Sequence, residues 1–221
     1  MASDLVKVGR ALISVSDKNG ITDLASVLYE LNPNVTILSS GGTYKHLKSE
    51  SEKRGYKLIE VAEYTGFPES PGGLLKTLHP RVHGAHLLNL DNPEHAKYMN
   101  ENGIIPTDLV VVNLYPFQKK VEEGAPIDVV RENIDIGGPT MIRSAAKNFL
   151  RVAVITNPAQ YAKIIEELRE TGGNTKLKTR IALADRAFSN TAEYDSAIAK
   201  FFKDHPAEEI ADHYMSYASK G

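Results

Sequence analysis

The sequence predicts an α/β fold with a mainly parallel sheet between two helical layers, α/β/α. Apolar, β-branched runs of strand length recur along the chain, and a segment of helical character follows each. Parallel neighbours need such crossovers, which are right-handed and cover both faces of the sheet. The 221 residues are 42 % hydrophobic and 24 % charged, enough apolar surface for one sizeable core without staples.

Taken in order, "RALISVS" (10–16) is the first strand, and "DKNG" turns into an amphipathic helix over 21–32. "VTILSS" (35–40) reads as a second, buried strand, with "GGT" opening a helix that runs to about Arg54. "YKLIEVA" (56–62) is the third strand. A glycine- and proline-rich loop follows, in which Pro80 is expected to prevent a helix through "GGLLKTLHPRVHG" (72–84). Residues 93–103 read as helix, and "DLVVVNLYPF" (108–117) is the strongest strand. Pro116 ends its ladder, which would display Tyr115 and Phe117 at the sheet rim, although taken in isolation a Tyr buried in the core is the favoured alternative. Beyond a helix near 127–133, Pro139 is placed to open another. "VAVIT" (152–156) is a strand, with helices over 158–170 and 174–204. Residues 1–205 thus form one domain, and 206–221 a loosely attached tail.

Bulk properties narrow the function. With no cysteine, disulfides and thiolate metal sites are excluded, and a reducing cytoplasm is the expected home. No apolar run approaches the roughly 20 residues that span a bilayer, so no membrane partner is expected. "MASDLVKVGR" lacks the apolar centre of a signal peptide. A net charge of −2 leaves no basic footprint for nucleic acid.

In such a sheet ligands bind beyond the carboxyl ends of the strands. That rule gathers the loops at 16–20, 39–43, 63–83, 113–118 and 135–140 on one rim. "SSGGT" (39–43) joins a strand to a helix: its glycines let backbone N–H groups approach an anion, and Ser40 and Thr43 bring hydroxyls. A plain turn with an N-cap reads the same way. Lys18, on the neighbouring loop, either completes a phosphate site or is a solvated turn lysine; together the two loops favour phosphate. In 72–84, Lys76 and Thr77 are candidates for a substrate oxygen. His79, His83 and His86 are loosely spaced and lack a carboxylate, so no metal is expected, and they can equally cap backbone groups. Asp135 and Lys147 can divide base and acid roles, or form a salt bridge.

"SVSDKNG", "SSGGT", "KTLHPRVHG", "VVNLYPF", "NIDIGGPTMIRSAAKN", "VAVITNPAQY" and "AFSNTAEYD" stand in the order and spacing of a known family. Over residues 8–204 the chain resembles the IMP cyclohydrolase domain, the N-terminal half of bifunctional proteins that also carry AICAR transformylase. The resemblance implies a methylglyoxal-synthase-like fold, a homodimer, and closure of 5-formamidoimidazole-4-carboxamide ribonucleotide (FAICAR) to IMP with loss of water. It assigns Ser16, Lys18, Ser40, Gly42, Thr43 and Thr77 to a phosphate pocket. It assigns Lys76, Tyr115, Asp135 and Lys147 to catalysis, with Asn113, Ile136 and Gly137 near the base. Lys76, aided by Tyr115, would stabilise the formyl oxygen, Asp135 would take the nitrogen's proton, and Lys147 would protonate the departing hydroxyl. The substrate is a small purine ribonucleotide, and no cofactor or metal is needed.

The chain departs from the family pattern in three places. Leu74 stands where the family's "GGRVKTLHP" has arginine, with Arg81 as a candidate replacement, and "HGAHLLN" replaces a run like "HGGILAR". The "RYGENPHQ" region of the transformylase half is missing, so no formyl transfer is expected. Two other functions compete. A regulatory module binding a phosphorylated metabolite would need only the first two loops. A methylglyoxal-synthase-type lyase would need an aspartate base beside the phosphate loop, for which Asp17 alone is insufficient.

Overall fold

Two sheets organise the computed structural model, which describes residues 4–218. Strand β1 (Leu5–Lys7) precedes β2 (Arg10–Val15), and α1 (Ile21–Leu31) carries the chain to β3 (Thr36–Ser39). Helix α2 (Gly41–Arg54) leads to β4 (Lys57–Glu60) and α3 (Val61–Thr65); a 3-10 turn at Pro71–Gly73 follows, then α4 (Pro80–Leu87) and α5 (Pro93–Glu101). Next come β5 (Leu109–Asn113), α6 (Phe117–Glu122), α7 (Ile127–Glu132), α8 (Gly137–Lys147) and β6 (Ala153–Ile155). The chain closes with α9 (Tyr161–Glu170), β7 (Asn174–Lys176), α10 (Leu177–Asp204) and α11 (Ala207–Ala218).

The main sheet is parallel throughout, in the order β4-β3-β2-β5-β6. Leu12 of β2 is level with Leu38 on one side and Val110 on the other. Strands β2 and β5 are buried on both faces, which is why they read as continuous apolar runs rather than alternating ones. Helix α1 packs with α2 and α9, and α8 packs with α4 and α10, giving the two outer layers. From β2 the chain steps outward to β3 and β4, then returns to build β5 and β6 on the other side. The loops at the carboxyl ends of β2 and β5 therefore part company, leaving a crevice between them. This agrees with the three-layer, mainly parallel architecture the sequence predicts.

Several local expectations are corrected. Pro80 opens α4 instead of breaking a helix: it is the first helical residue, where its missing N–H costs nothing, and the His79 imidazole caps the turn by accepting from the Arg81 N–H. Phe117 is not displayed at the rim. It is 1 % exposed and packs with Val130, Tyr194 and Phe201 in a second apolar cluster, whereas Tyr115 is 44 % exposed. The backbone turns after Asn113, so the strand's alternation no longer governs where these rings point. The third strand ends at Glu60, and Val61 already begins α3. The three-residue strands β1 and β7 were not expected; they pair antiparallel, Leu5 level with Lys176. Behind them the buried Arg180 guanidinium donates to the carbonyls of Phe149, Leu150 and Thr175. Beyond His205, α11 is helical, and its His213 Nε2 lies 3.2 Å from Asp128 of α7.

Phe117→Ala should lower the unfolding free energy in a urea titration by about 3–5 kcal/mol, the usual cost of emptying a packed aromatic site. Tyr115→Ala should change it by no more than about 0.5 kcal/mol, as expected for an exposed position.

Candidate functional site

The crevice between β2 and β5 widens into a cavity of about 360 Å³. One wall comes from the loop after β2 and the first turn of α2, the other from the segment 72–77, Tyr115 and the start of α8. Of the residues assigned by resemblance, Ser16, Lys18, Ser40, Gly42, Thr43, Lys76, Thr77, Asn113, Tyr115, Asp135, Ile136 and Gly137 all line it.

The first wall offers the kind of donors that an anion cradle uses. Ser40 is the N-cap of α2, and Gly41 and Gly42 form its first turn, where backbone N–H groups precede the helical ladder and carry partial positive charge. Gly41 has φ of 49°, a conformation that favours glycine, and Lys76 Nζ lies 2.8 Å from where a Cβ would stand. Lys18 reaches the same turn: its Nζ would be 3.8 Å from a Cβ on Gly42, and it donates to the Ser16 carbonyl at 3.2 Å. The Ser40 and Ser14 hydroxyls share a hydrogen bond of 2.9 Å. Thr43 differs from expectation. Its hydroxyl accepts from the Val15 N–H and donates to the Val15 carbonyl, each at 3.0 Å, so it ties helix to strand and has no hydrogen left for a ligand. Asn113 is likewise committed: its carboxamide accepts from the N–H groups of Ser16 and Asp17 and donates to the Asp17 carbonyl.

The second wall holds the titratable groups. Asp135 Oδ1 accepts from the Gly138 N–H at 2.7 Å, and Oδ2 from the Tyr115 N–H at 3.4 Å. A Cβ on Gly138 would lie 2.5 Å from Oδ2 and 2.7 Å from Leu114 Cδ2, so only glycine lets α8 start this close to the carboxylate. The Asp135 N–H is held in turn by the Tyr194 hydroxyl at 2.8 Å. Burial pushes the Asp135 carboxyl above its ordinary range; the N–H groups of Gly138 and Tyr115 and the charge of Lys76 oppose this without cancelling it. The Lys76 ammonium pairs with Glu69 at 2.9 Å. Thr77 is buried, with its hydroxyl packed against Gly137.

Lys147 is not brought to this cluster. It is the last residue of α8, exposed, and ten residues beyond Gly137, which at the helical rise is about 15 Å along the axis, farther than a lysine side chain reaches. Within one protomer Lys147 therefore does not line the cavity that holds Asp135. Arg81 does not replace the missing arginine either: its guanidinium donates to the carbonyls of Asn102 and Tyr64. Leu74 lines the cavity and is 75 % exposed at its mouth. His83 and His86 lie behind the site, their Nδ1 atoms 3.2 and 3.0 Å from the Ser144 hydroxyl of α8. Burial pushes the His86 imidazole down to about 3, with His83 adding to the effect. Among the described residues no group of three His, Asp or Glu side chains converges as metal ligands would. Sequence reasoning missed Glu69 beside Lys76 and Glu132 on the cavity lining. The acidic residues of "PESPGG" and "ENIDIGG", flanking the two glycine pairs, were the available signals.

Comparison with known proteins gives a consistent result. Residues 20–140 match the family model described as MGS-like domain, and residues 145–220 the one described as AICARFT/IMPCHase bienzyme. The bifunctional purine biosynthesis protein PurH of Clostridium botulinum (strain Langeland) is 50 % identical over 213 residues, covering 96 % of this chain and 40 % of that protein. The protein of the same name from Persephonella marina is 49 % identical over 190 residues, covering 86 % of this chain and 36 % of its own length. The chain thus spans about two fifths of the curated relatives it matches. Among solved structures, the crystal structure of ForH superposes with a TM-score of 0.74 at 32 % identity, covering 88 % of this chain and 96 % of that one.

A carboxyl raised in the folded state binds its proton more tightly there than in the unfolded chain, so its contribution to stability falls as pH rises from the ordinary value of 3.8 through the raised one. Relative to the parent, Asp135→Asn should therefore gain stability as pH rises above 3.8. Thermal unfolding midpoints of the two proteins below and above that pH check the sign.

Proposed function

Because the chain belongs to the MGS-like domain family, we propose that its β2–β5 cavity closes FAICAR to IMP with loss of water, making it an IMP cyclohydrolase of purine biosynthesis. One observation carries this reading: an anion cradle and a lysine–carboxylate group open into a single cavity. A module that only bound a phosphorylated metabolite would have no use for the second half of that pair.

In this reading the substrate's 5′-phosphate, carrying about −1.5 to −2 charge, sits on the first turn of α2 beside Lys18. Its binding energy fixes the base and formyl group at the opposite wall, where intramolecular attack gains from orientation. The carboxamide nitrogen is a poor nucleophile, and Asp135, made more basic by burial, takes its proton as the bond to the formyl carbon forms. Negative charge grows on the formyl oxygen and is met by the Lys76 ammonium, with the Tyr115 hydroxyl alongside. The oxygen leaves as water after taking up the two protons given by the two ring nitrogens. With Lys147 distant, those protons pass through Lys76 and through Asp135 once it is protonated. Asn113 and Thr43 act indirectly in this scheme, by holding the phosphate wall. We also propose a homodimer, and a cytoplasmic setting fits a sequence without cysteine.

Purified protein mixed with FAICAR should produce IMP, followed by ultraviolet absorbance. Lys76→Ala and Asp135→Asn should each lower kcat/KM by about 10²- to 10³-fold. Tight nucleotide binding without turnover would instead support a binding module. Sedimentation at micromolar protein should give the mass of a dimer, and a monomer would remove that part of the proposal.

A further inference from the structure

The Lys76 ammonium is held at the side of the cavity by a carboxylate from outside its lining. Glu69, in the loop between α3 and the Pro71–Gly73 turn, places Oε1 2.9 Å from Lys76 Nζ. Both groups lie against the start of α2. Lys76 Nζ is 2.8 Å, and Glu69 Oε1 4.0 Å, from the point where a Cβ would stand on Gly41; the corresponding distances from Gly73 are 2.6 and 3.2 Å. A helix N-terminus attracts negative charge and disfavours a lysine. Glu69 supplies the negative charge that lets Lys76 rest there, and it does so beside the cradle that a phosphate would occupy. A phosphate on that cradle and this carboxylate would then compete for one helix end, as like charges drawn to the same N–H groups.

We propose that Glu69 is a positioning residue: the counter-ion that parks Lys76 at the edge of the empty cavity and is displaced by the phosphate of an incoming nucleotide. This rests on the nucleotide reading above and adds a step to it. Once released, the ammonium is free to turn toward Asp135, whose carboxylate already feels its charge. Glu69 is itself exposed, so its replacement leaves the core untouched.

Calorimetric titration of IMP and of inorganic phosphate into the parent, Glu69→Gln and Glu69→Ala tests this at about 0.05 M and about 0.5 M salt. Both variants should bind both probes roughly 3- to 20-fold more tightly than the parent at low salt, with the gain shrinking at high salt. KM for FAICAR should fall in the same proportion while kcat changes less. Equal or weaker binding by the variants, with the parent still binding IMP, would overturn the role of Glu69 and leave the nucleotide reading standing. If none of the three bound IMP, both would fall.

Discussion

Three hydrogen bonds from the Asn113 carboxamide join the end of β5 to the loop that leaves β2, and the rest of the site is hung from that join. They span 2.7 Å to the Ser16 N–H, 2.8 Å to the Asp17 N–H and 2.9 Å to the Asp17 carbonyl. The β2–β5 pairing ends at Val15 and Asn113, and these bonds extend the tie into the loop beyond it, where the onward connections run in opposite directions. With the gap set, Lys18 is carried to the first turn of α2 on one side. On the other, the chain reaches Tyr115, whose N–H meets Asp135. A carboxamide suits this work because it both donates and accepts, so it can satisfy three backbone groups in a half-buried place without a charge.

Much of this was legible in the sequence where one local rule governed the outcome. The runs at 10–16, 108–117 and 152–156 announced a parallel sheet because both faces of those strands are buried. The glycine pair of "SSGGT" announced a close approach, and it does admit a charged side chain against backbone. What was not legible depends on distances that linear order hides. Lys147 is close to Asp135 in sequence but a helix length away in space. Phe117 follows a strand whose alternation ended at Asn113, and it turned inward to Tyr194 and Phe201. Arg81 is engaged by carbonyls from two other segments, and Glu69 met Lys76 only because a 3-10 turn folded the loop back. The pairing of β1 with β7 involved runs too short to show any periodicity.

Charge is distributed unevenly around the cavity. The two imidazoles behind it, His83 and His86, share the Ser144 hydroxyl, and burial keeps both from protonating readily. The α4–α8 contact therefore contributes no ionic field of its own. The charges that face the cavity come from a few side chains: Lys18 and Lys76 on the cationic side, Asp135 and Glu132 on the anionic side. Potential inside such a recess is set by those few groups and by the dipole of α2, rather than by the near-neutral surface of the whole molecule.

The paired bonds between Thr43 and Val15 have a consequence for how such a protein diversifies. They weld the opening of α2 to the central strand, so that half of the recess is cast as one piece with the hydrophobic interior. The opposite half is jointed, built on a glycine-bearing turn that carries Leu74 outward into water. Substitutions can therefore accumulate on the jointed side, altering the shape of the recess there, while the half formed by the first turn of α2 stays as the scaffold made it.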